Sequence, residues 1–381
     1  MIYLDHNATT AVDGRVAAVV EEHLRARFGN PSSGHRAGRE AAEALELARR
    51  QVADLVGAEA REVVFTSGGT EANNLALKGA VAALGLTRLI VSAVEHASVR
   101  APARWLADRG VTVETLPVDE QGRVRPADLE ARLAGGPPAL VSVMWVNNET
   151  GVVQDIPALA EVVRRHGSWL HTDAVQGAGR LPLAWTRLGA HLLSLSGHKL
   201  GAPKGSGALV VDRSLDVEPL LHGGGQEDGR RAGTENVPAQ AGFGLACALA
   251  QAELDDRRRH WSALRQHLEA GLEARLPEVV IHGRGAPRVA NTCFFSVPGV
   301  DGEALLLALD ERGFAVGSGA ACGRGEPSHV LTAMGVEPAL AYGALRVSLG
   351  VDNTREEIDR FLDALVQETE RLRGLAAVAG R

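Results

Sequence analysis

From about Val16 to Val211, short apolar runs alternate with amphipathic helical patterns, and that rhythm admits few architectures. The runs are Val63-Val64-Phe65, Leu89-Ile90-Val91, Val111-Thr112-Val113, Leu140-Val141-Ser142-Val143, Trp169-Leu170 and Leu192-Leu193-Ser194-Leu195. They read as strands. Between residues 41 and 56, Leu45, Ala48, Val52 and Leu55 share one helical face, and the pattern stops at Gly57, a good helix end. Strands alternating with helices imply an α/β fold with a mostly parallel sheet. Ligands of such sheets sit beyond the carboxyl ends of the strands, so the residues after each strand are the ones to read.

The later part of the chain changes character. Leu221 to Val237 is rich in glycine and charge and reads as an exposed or interface loop, followed by a long helical region from Ala239 to Arg275. Shorter strands and helices then continue to about Arg373, and Gly374 to Arg381 is expected to fray. The expected division is a large domain over 13–252 and a small α+β domain built from 1–12 and 253–381.

A formal net charge of −7, with basic residues scattered, argues against nucleic acid or an anionic membrane as a partner. No apolar stretch reaches 18 residues, and the opening lacks the features of a secretory signal. Three cysteines without a spaced pattern fit a reducing cytoplasm. No metal site is expected.

Several strand ends carry chemistry. Ser196-Gly197-His198-Lys199 places a lysine directly beyond an apolar strand, where desolvation lowers an amine's pKa as Schiff-base chemistry requires. The chain has only two other lysines, Lys78 and Lys204. Ser67-Gly68-Gly69-Thr70 leads from a strand into a helix and reads either as a phosphate cup or as a capping turn. Asp173 ends another strand, where a helix cap and a ligand role both stay open. His96 lies level with these ends, and Asn147-Asn148-Glu149 has the composition of an ordinary turn. Cys247 and Cys293 sit in apolar runs and read as core residues. Cys322 lies between glycines and beside Arg324, with no large apolar residue near to bury it, as reactive thiols do.

Together these pieces resemble the cysteine desulfurases of the class V aminotransferase fold, in the nitrogen-fixation and iron–sulfur-assembly branch. The resemblance runs nearly end to end. It includes Asp5-His6-Asn7-Ala8-Thr9-Thr10, Gly29-Asn30-Pro31-Ser32-Ser33-Gly34-His35, Thr70-Glu71-Ala72-Asn73-Asn74, Glu95-His96, Asn147-Asn148-Glu149 and Thr172-Asp173-Ala174-Val175-Gln176. Further on come Ser196-Gly197-His198-Lys199, Gly223-Gly224-Gly225-Gln226-Glu227, Arg231-Ala232-Gly233-Thr234-Glu235-Asn236, Glu326-Pro327-Ser328-His329 and Leu345-Arg346-Val347-Ser348-Leu349-Gly350.

The resemblance implies the PLP-dependent (pyridoxal 5'-phosphate) aminotransferase fold of type I, with a seven-stranded, mostly parallel sheet. It implies that Lys199 holds the cofactor, that His96 stacks on its ring and passes protons, and that Asp173 pairs with the ring nitrogen. Gln176 and Asn148 would face the ring hydroxyl. Gly69, Thr70, Ser196 and His198 would hold the phosphate, and Thr234 would reach it from the second subunit of a homodimer. Arg346, helped by Asn148, would clamp the carboxylate of L-cysteine. Cys322 would take the sulfur as a persulfide, releasing L-alanine, and pass it to an acceptor such as an iron–sulfur scaffold protein.

Three positions depart from the pattern. Only Gly323, Arg324 and Gly325 separate Cys322 from Glu326, about two residues fewer than in the long-loop branch, which removes about 7 Å of reach. Gly69 stands where alanine is expected, and Val351 where arginine is frequent. A selenocysteine lyase or another class V PLP enzyme is the rival within the fold, and a non-catalytic iron–sulfur scaffold is the rival of another class. Intact Lys199, Asp173, His96 and Cys322 count against the scaffold.

Overall fold

A computed structural model describes residues 1–318 and 327–379. After the short strand β1 (Ile2–Tyr3), seven strands form one sheet: β2 (Val63–Thr66), β3 (Arg88–Ser92), β4 (Thr112–Leu116), β5 (Leu140–Ser142), β6 (Trp169–Asp173), β7 (Leu192–Ser196) and β8 (Gly207–Val211). Their order is β2-β8-β7-β6-β5-β3-β4, with β8 antiparallel to both neighbours and the other pairings parallel. Every residue of β2, β3, β5, β7 and β8 is buried, which explains why these strands read as continuous apolar runs. Successive side chains feed opposite cores. Phe65 and Ile90 join Val52 and Leu159 on one face, while Val64 and Leu89 join Leu75 and Val99 on the other.

All six strands expected in this region are present. The third begins one residue later than expected, at Thr112. The seventh, β8, is not anticipated by the helix–strand rhythm, because residues 197–206 contain no crossover helix. Without one the chain can only turn back, and β8 pairs antiparallel with β7.

The single helix expected over 239–275 is two, Val237–Ala252 and Leu254–Arg275, parted at Glu253. The first packs against the helices Gly14–Arg25 and Arg36–Val56, where Gly244 lies so close that a Cβ would fall 2.5 Å from Ala48 Cα. The second packs against the C-terminal helix Arg355–Ala379. Two different surfaces require two axes. The C-terminal helix also corrects the expectation of fraying from Gly374, since it continues to Ala379.

A second sheet holds β9 (Val280–Ile281), β10 (Thr292–Ser296), β12 (Gly317–Ser318) and β13 (Ala344–Ser348), antiparallel in the order β12-β13-β10-β9. Between them in sequence, β11 (Phe314–Ala315) pairs in parallel with β1, which returns the first residues of the chain to this region. A core of Leu4, Leu268, Phe295, Leu305, Phe361 and neighbours lies against this sheet. A smaller apolar cluster spans the two sheets: Val94 and Met144 meet Phe294, Val330, Leu331 and Met334. Cys247 and Cys293 are fully buried, as expected. Among the described residues, no helix is long and apolar enough to cross a membrane.

Candidate active site

The parallel strands end together on one edge of the large sheet, and a cavity of 570 Å³ opens there against the second sheet. Ten residues singled out from the sequence bound it: Gly69, Thr70, His96, Asn148, Asp173, Gln176, Ser196, His198, Lys199 and Arg346. Thr234 does not reach the cavity of its own chain. It is exposed and lines a separate pocket of 170 Å³ with Arg231 and Gly205. Cys322 lies outside the described residues.

Asp173 closes β6 with both oxygens occupied. Oδ1 accepts from Val175 N–H at 3.0 Å and Oδ2 from Asn73 Nδ2 at 2.7 Å. The same Asn73 amide nitrogen donates to Ser98 Oγ at 2.8 Å. Sequence reasoning left Asn73 without a role. Its place four residues past Gly69 on one helix was readable, but which face of the helix meets β6 was not. The residue opening the next helix, His96, accepts at Nδ1 from Ser98 N–H at 3.1 Å, so in the neutral ring the proton sits on Nε2. Burial pushes the pKa of His96 down, partly offset by Asp173.

Lys199 follows β7, and its Nζ donates to two carbonyls of the N-terminal segment, Asn7 O and Ala8 O, each at 2.6 Å. Burial lowers its pKa to about 7, with Arg180 and Arg346 pushing the same way and Asp5 and Asp173 opposing. A neutral amine has two N–H bonds and one lone pair, so it can serve both carbonyls and keep a nucleophilic electron pair.

The end of the cavity near β2 is built from small groups. Ser67, Gly68, Gly69 and Thr70 face Ser196 and His198 there. A Cβ at Gly69 would come within 2.8 Å of Val175 Cγ2 and 3.3 Å of Ser196 Cβ, which accounts for glycine at this position. His198 Nδ1 is 3.1 Å from Thr9 Oγ1, and burial lowers its pKa to about 4, so the ring is neutral.

The opposite wall comes from the second sheet. On β13, Arg346 Nη2 donates to Asp5 Oδ1 at 2.6 Å and Nη1 to the Asn148 carbonyl at 3.0 Å. Its Nε is buried with no partner among the described residues. The Asn148 backbone, and not its side-chain amide, therefore holds Arg346. Asp5 and Asn7 were read from the sequence only as parts of a motif, and here they serve Arg346 and Lys199.

A doubly wound sheet with a desolvated amine beyond one strand, a carboxylate ending the neighbouring strand, and a second sheet facing both is an arrangement suited to the class of enzymes that use pyridoxal phosphate. Within that class the chain belongs to the class-V aminotransferase family, whose pattern matches residues 2–361. A cysteine desulfurase of Trichormus variabilis is 45% identical over 379 residues, covering 99% of this chain and 95% of the relative. The crystal structure of a NifS-like protein from Rickettsia africae superimposes with a TM-score of 0.89 at 36% identity, covering 97% of this chain and 99% of that one. A structure described as SspA in complex with cysteine gives 0.80 at 33% identity, covering 92% of this chain and 99% of that one.

Pyridoxal phosphate is the family's cofactor, and the cavity fits it. The fit rests on the desolvated Lys199 amine, the anchored Asp173 carboxylate and the small-residue end formed by Gly69 and Ser196.

Proposed function

We propose that this chain is a pyridoxal-phosphate-dependent cysteine desulfurase, converting L-cysteine to L-alanine and leaving the sulfur on Cys322 as a persulfide. The observation that carries the reading is the pairing, across one cavity, of the Lys199 amine with the buried Arg346 guanidinium. When bound, pyridoxal phosphate supplies an aldehyde for an amino group and a ring that withdraws electrons from the α-carbon.

The chain's own residues supply the rest. Lys199 would hold the cofactor, and its neutral amine would take the α-proton. Asp173 would keep a proton on the ring nitrogen, and His96, with its Nε2 proton, would lie against the ring. Gln176 and Asn148 would serve the ring hydroxyl. Gly69, Thr70, Ser196 and His198 would hold the phosphate. Arg346 would exchange Asp5 for the substrate carboxylate. The Cys322 thiolate would attack the substrate's sulfur, so that an S–S bond forms as the C–S bond breaks, the carbon keeping the electron pair and taking up a proton to become the methyl group of alanine.

The reading extends to a homodimer in which Thr234 serves the partner's phosphate site. Its exposure in the same stretch as exposed Leu221 supports this. It further includes delivery of the sulfur to an iron–sulfur scaffold or another acceptor protein, in the cytoplasm. The domain division 13–252 against 1–12 with 253–381 is part of the proposal, and the separate cores behind the two sheets favour it.

The test supplies L-cysteine to the holoenzyme and measures alanine and protein-bound persulfide. Equal amounts, with the sulfur on Cys322, are expected. A Cys322→Ala variant retains the cofactor on Lys199 after borohydride reduction but forms no persulfide. Full-rate desulfuration by that variant refutes the assignment.

A further inference from the structure

Arg180 lies in the turn that follows β6, four residues past Gln176, and is 5% exposed. The other deeply placed arginines have acids: Arg49 pairs with Glu227 at 2.7 Å, Arg288 with Glu269 at 2.8 Å, and Arg346 with Asp5 at 2.6 Å. Arg180 has no ion pair among the described residues. Its Nη1 donates to the Gln176 carbonyl at 3.2 Å and to Gln176 Oε1. A buried guanidinium without a counter-charge destabilises a fold, so its presence needs a reason. Burial lowers its pKa to about 9, with Arg346 pushing the same way, which leaves it cationic at neutral pH.

Two consequences follow from its contacts. A guanidinium can only donate, so the Gln176 atom facing it must be the amide oxygen. The amide nitrogen is thereby turned the other way. Nε2 donates to Asn7 O at 3.0 Å, and its second N–H remains for the cavity that Gln176 borders. Asn7 O is also the carbonyl that accepts from Lys199 Nζ. Guanidinium, amide, carbonyl and amine thus form one connected chain behind the cavity.

We propose that Arg180 is a positioning residue of the reaction: it locks the Gln176 amide with its N–H edge toward the cavity and supplies a fixed positive charge behind Lys199. The inference rests on Lys199 being the cofactor-holding amine. The charges facing that amine come from several elements. Asp173 ends β6, Asp5 belongs to the N-terminal segment, Arg346 is on β13, and His96 and His198 follow β3 and β7, while His6 faces Arg180 itself. Of the two arginines that act on this amine, Arg346 has Asp5, and Arg180 is the one with no ion pair among the described residues.

The experiment titrates the visible absorbance of the bound cofactor with pH in wild-type holoenzyme, Arg180→Lys and Arg180→Met, with Arg180→Gln in reserve if the methionine variant does not fold. The uncharged variant is expected to move the midpoint up by about one pH unit. Arg180→Lys, which keeps the charge and loses the fork, should stay close to wild type. A folded, cofactor-loaded Arg180→Met or Arg180→Gln with the wild-type midpoint overturns the inference. If borohydride fails to fix the cofactor to Lys199 in the wild type, the reading of the site itself is refuted.

Discussion

The two walls of the cavity are held in different ways. The wall from the large sheet is saturated at its carboxylate: Asp173 has a donor on each oxygen, Asn73 bridges it to Ser98, and Ser98 fixes the His96 tautomer, although Asn73 Oδ1 finds no partner among the described residues. The wall from the second sheet is provisional. Arg346 borrows Asp5 as its acid, and its Nε has no acceptor among the described residues. Groups that face a permanent cofactor can be locked in advance, because nothing else ever takes their place. On the proposed reading Arg346 releases one carboxylate and takes another with each turnover, and such a group cannot be locked in that way.

Four perturbations bear on this contrast. The largest effect is expected for Arg346→Ala, where loss of a charged fork should lower kcat/KM by about a hundredfold or more while cofactor content stays normal. Steady-state kinetics with absorbance in parallel would measure it, and loss of cofactor instead would erase the distinction between the walls. Asn73→Ala should act the other way round. Leaving Asp173 Oδ2 without its donor should weaken cofactor retention roughly ten- to hundredfold, an effect of about 1.5–3 kcal/mol, as read by equilibrium dialysis.

The third concerns protons. Because the Lys199 pKa is lowered to about 7, the amine is charged and unreactive below that value. The rate at which apo-protein takes up pyridoxal phosphate should therefore rise about tenfold per pH unit up to about 7 and then level off. A rise that continues toward the pKa of an ordinary lysine would show that desolvation is not what prepares the amine. The smallest effect is expected for Gly69→Ala. Its Cβ meets Val175 Cγ2, so cofactor affinity should fall a few-fold, about 1 kcal/mol, and a second change, Val175→Ala, should restore it.

Much of the saturated wall was legible in the sequence. Lys199, Asp173 and His96 each follow an apolar run, and strand ends in a parallel sheet converge on one edge whatever the details. Their supports were not legible. Asn73 depends on which face of a six-residue helix meets β6, and Arg180 on a turn that folds back on Gln176. The provisional wall depends on contacts between residues at opposite ends of the chain, such as Asp5 with Arg346, and no local pattern encodes those. The fold shows the same division. The six strands expected among the alternating helices are there, whereas β8 and the break at Glu253 were set by what they pack against.

The pairing of β1 with β11 has a consequence in time. Asn7 N–H donates to Ser348 Oγ at 2.9 Å, and Asn7 Nδ2 donates to Thr292 Oγ1 at 2.9 Å. The segment around Asn7 therefore finds its place only after Thr292 and Ser348, 285 and 341 residues further on, have been made. Until then Lys199 lacks the two carbonyls that hold its amine, so the nascent chain can complete its large sheet well before it can seat a cofactor.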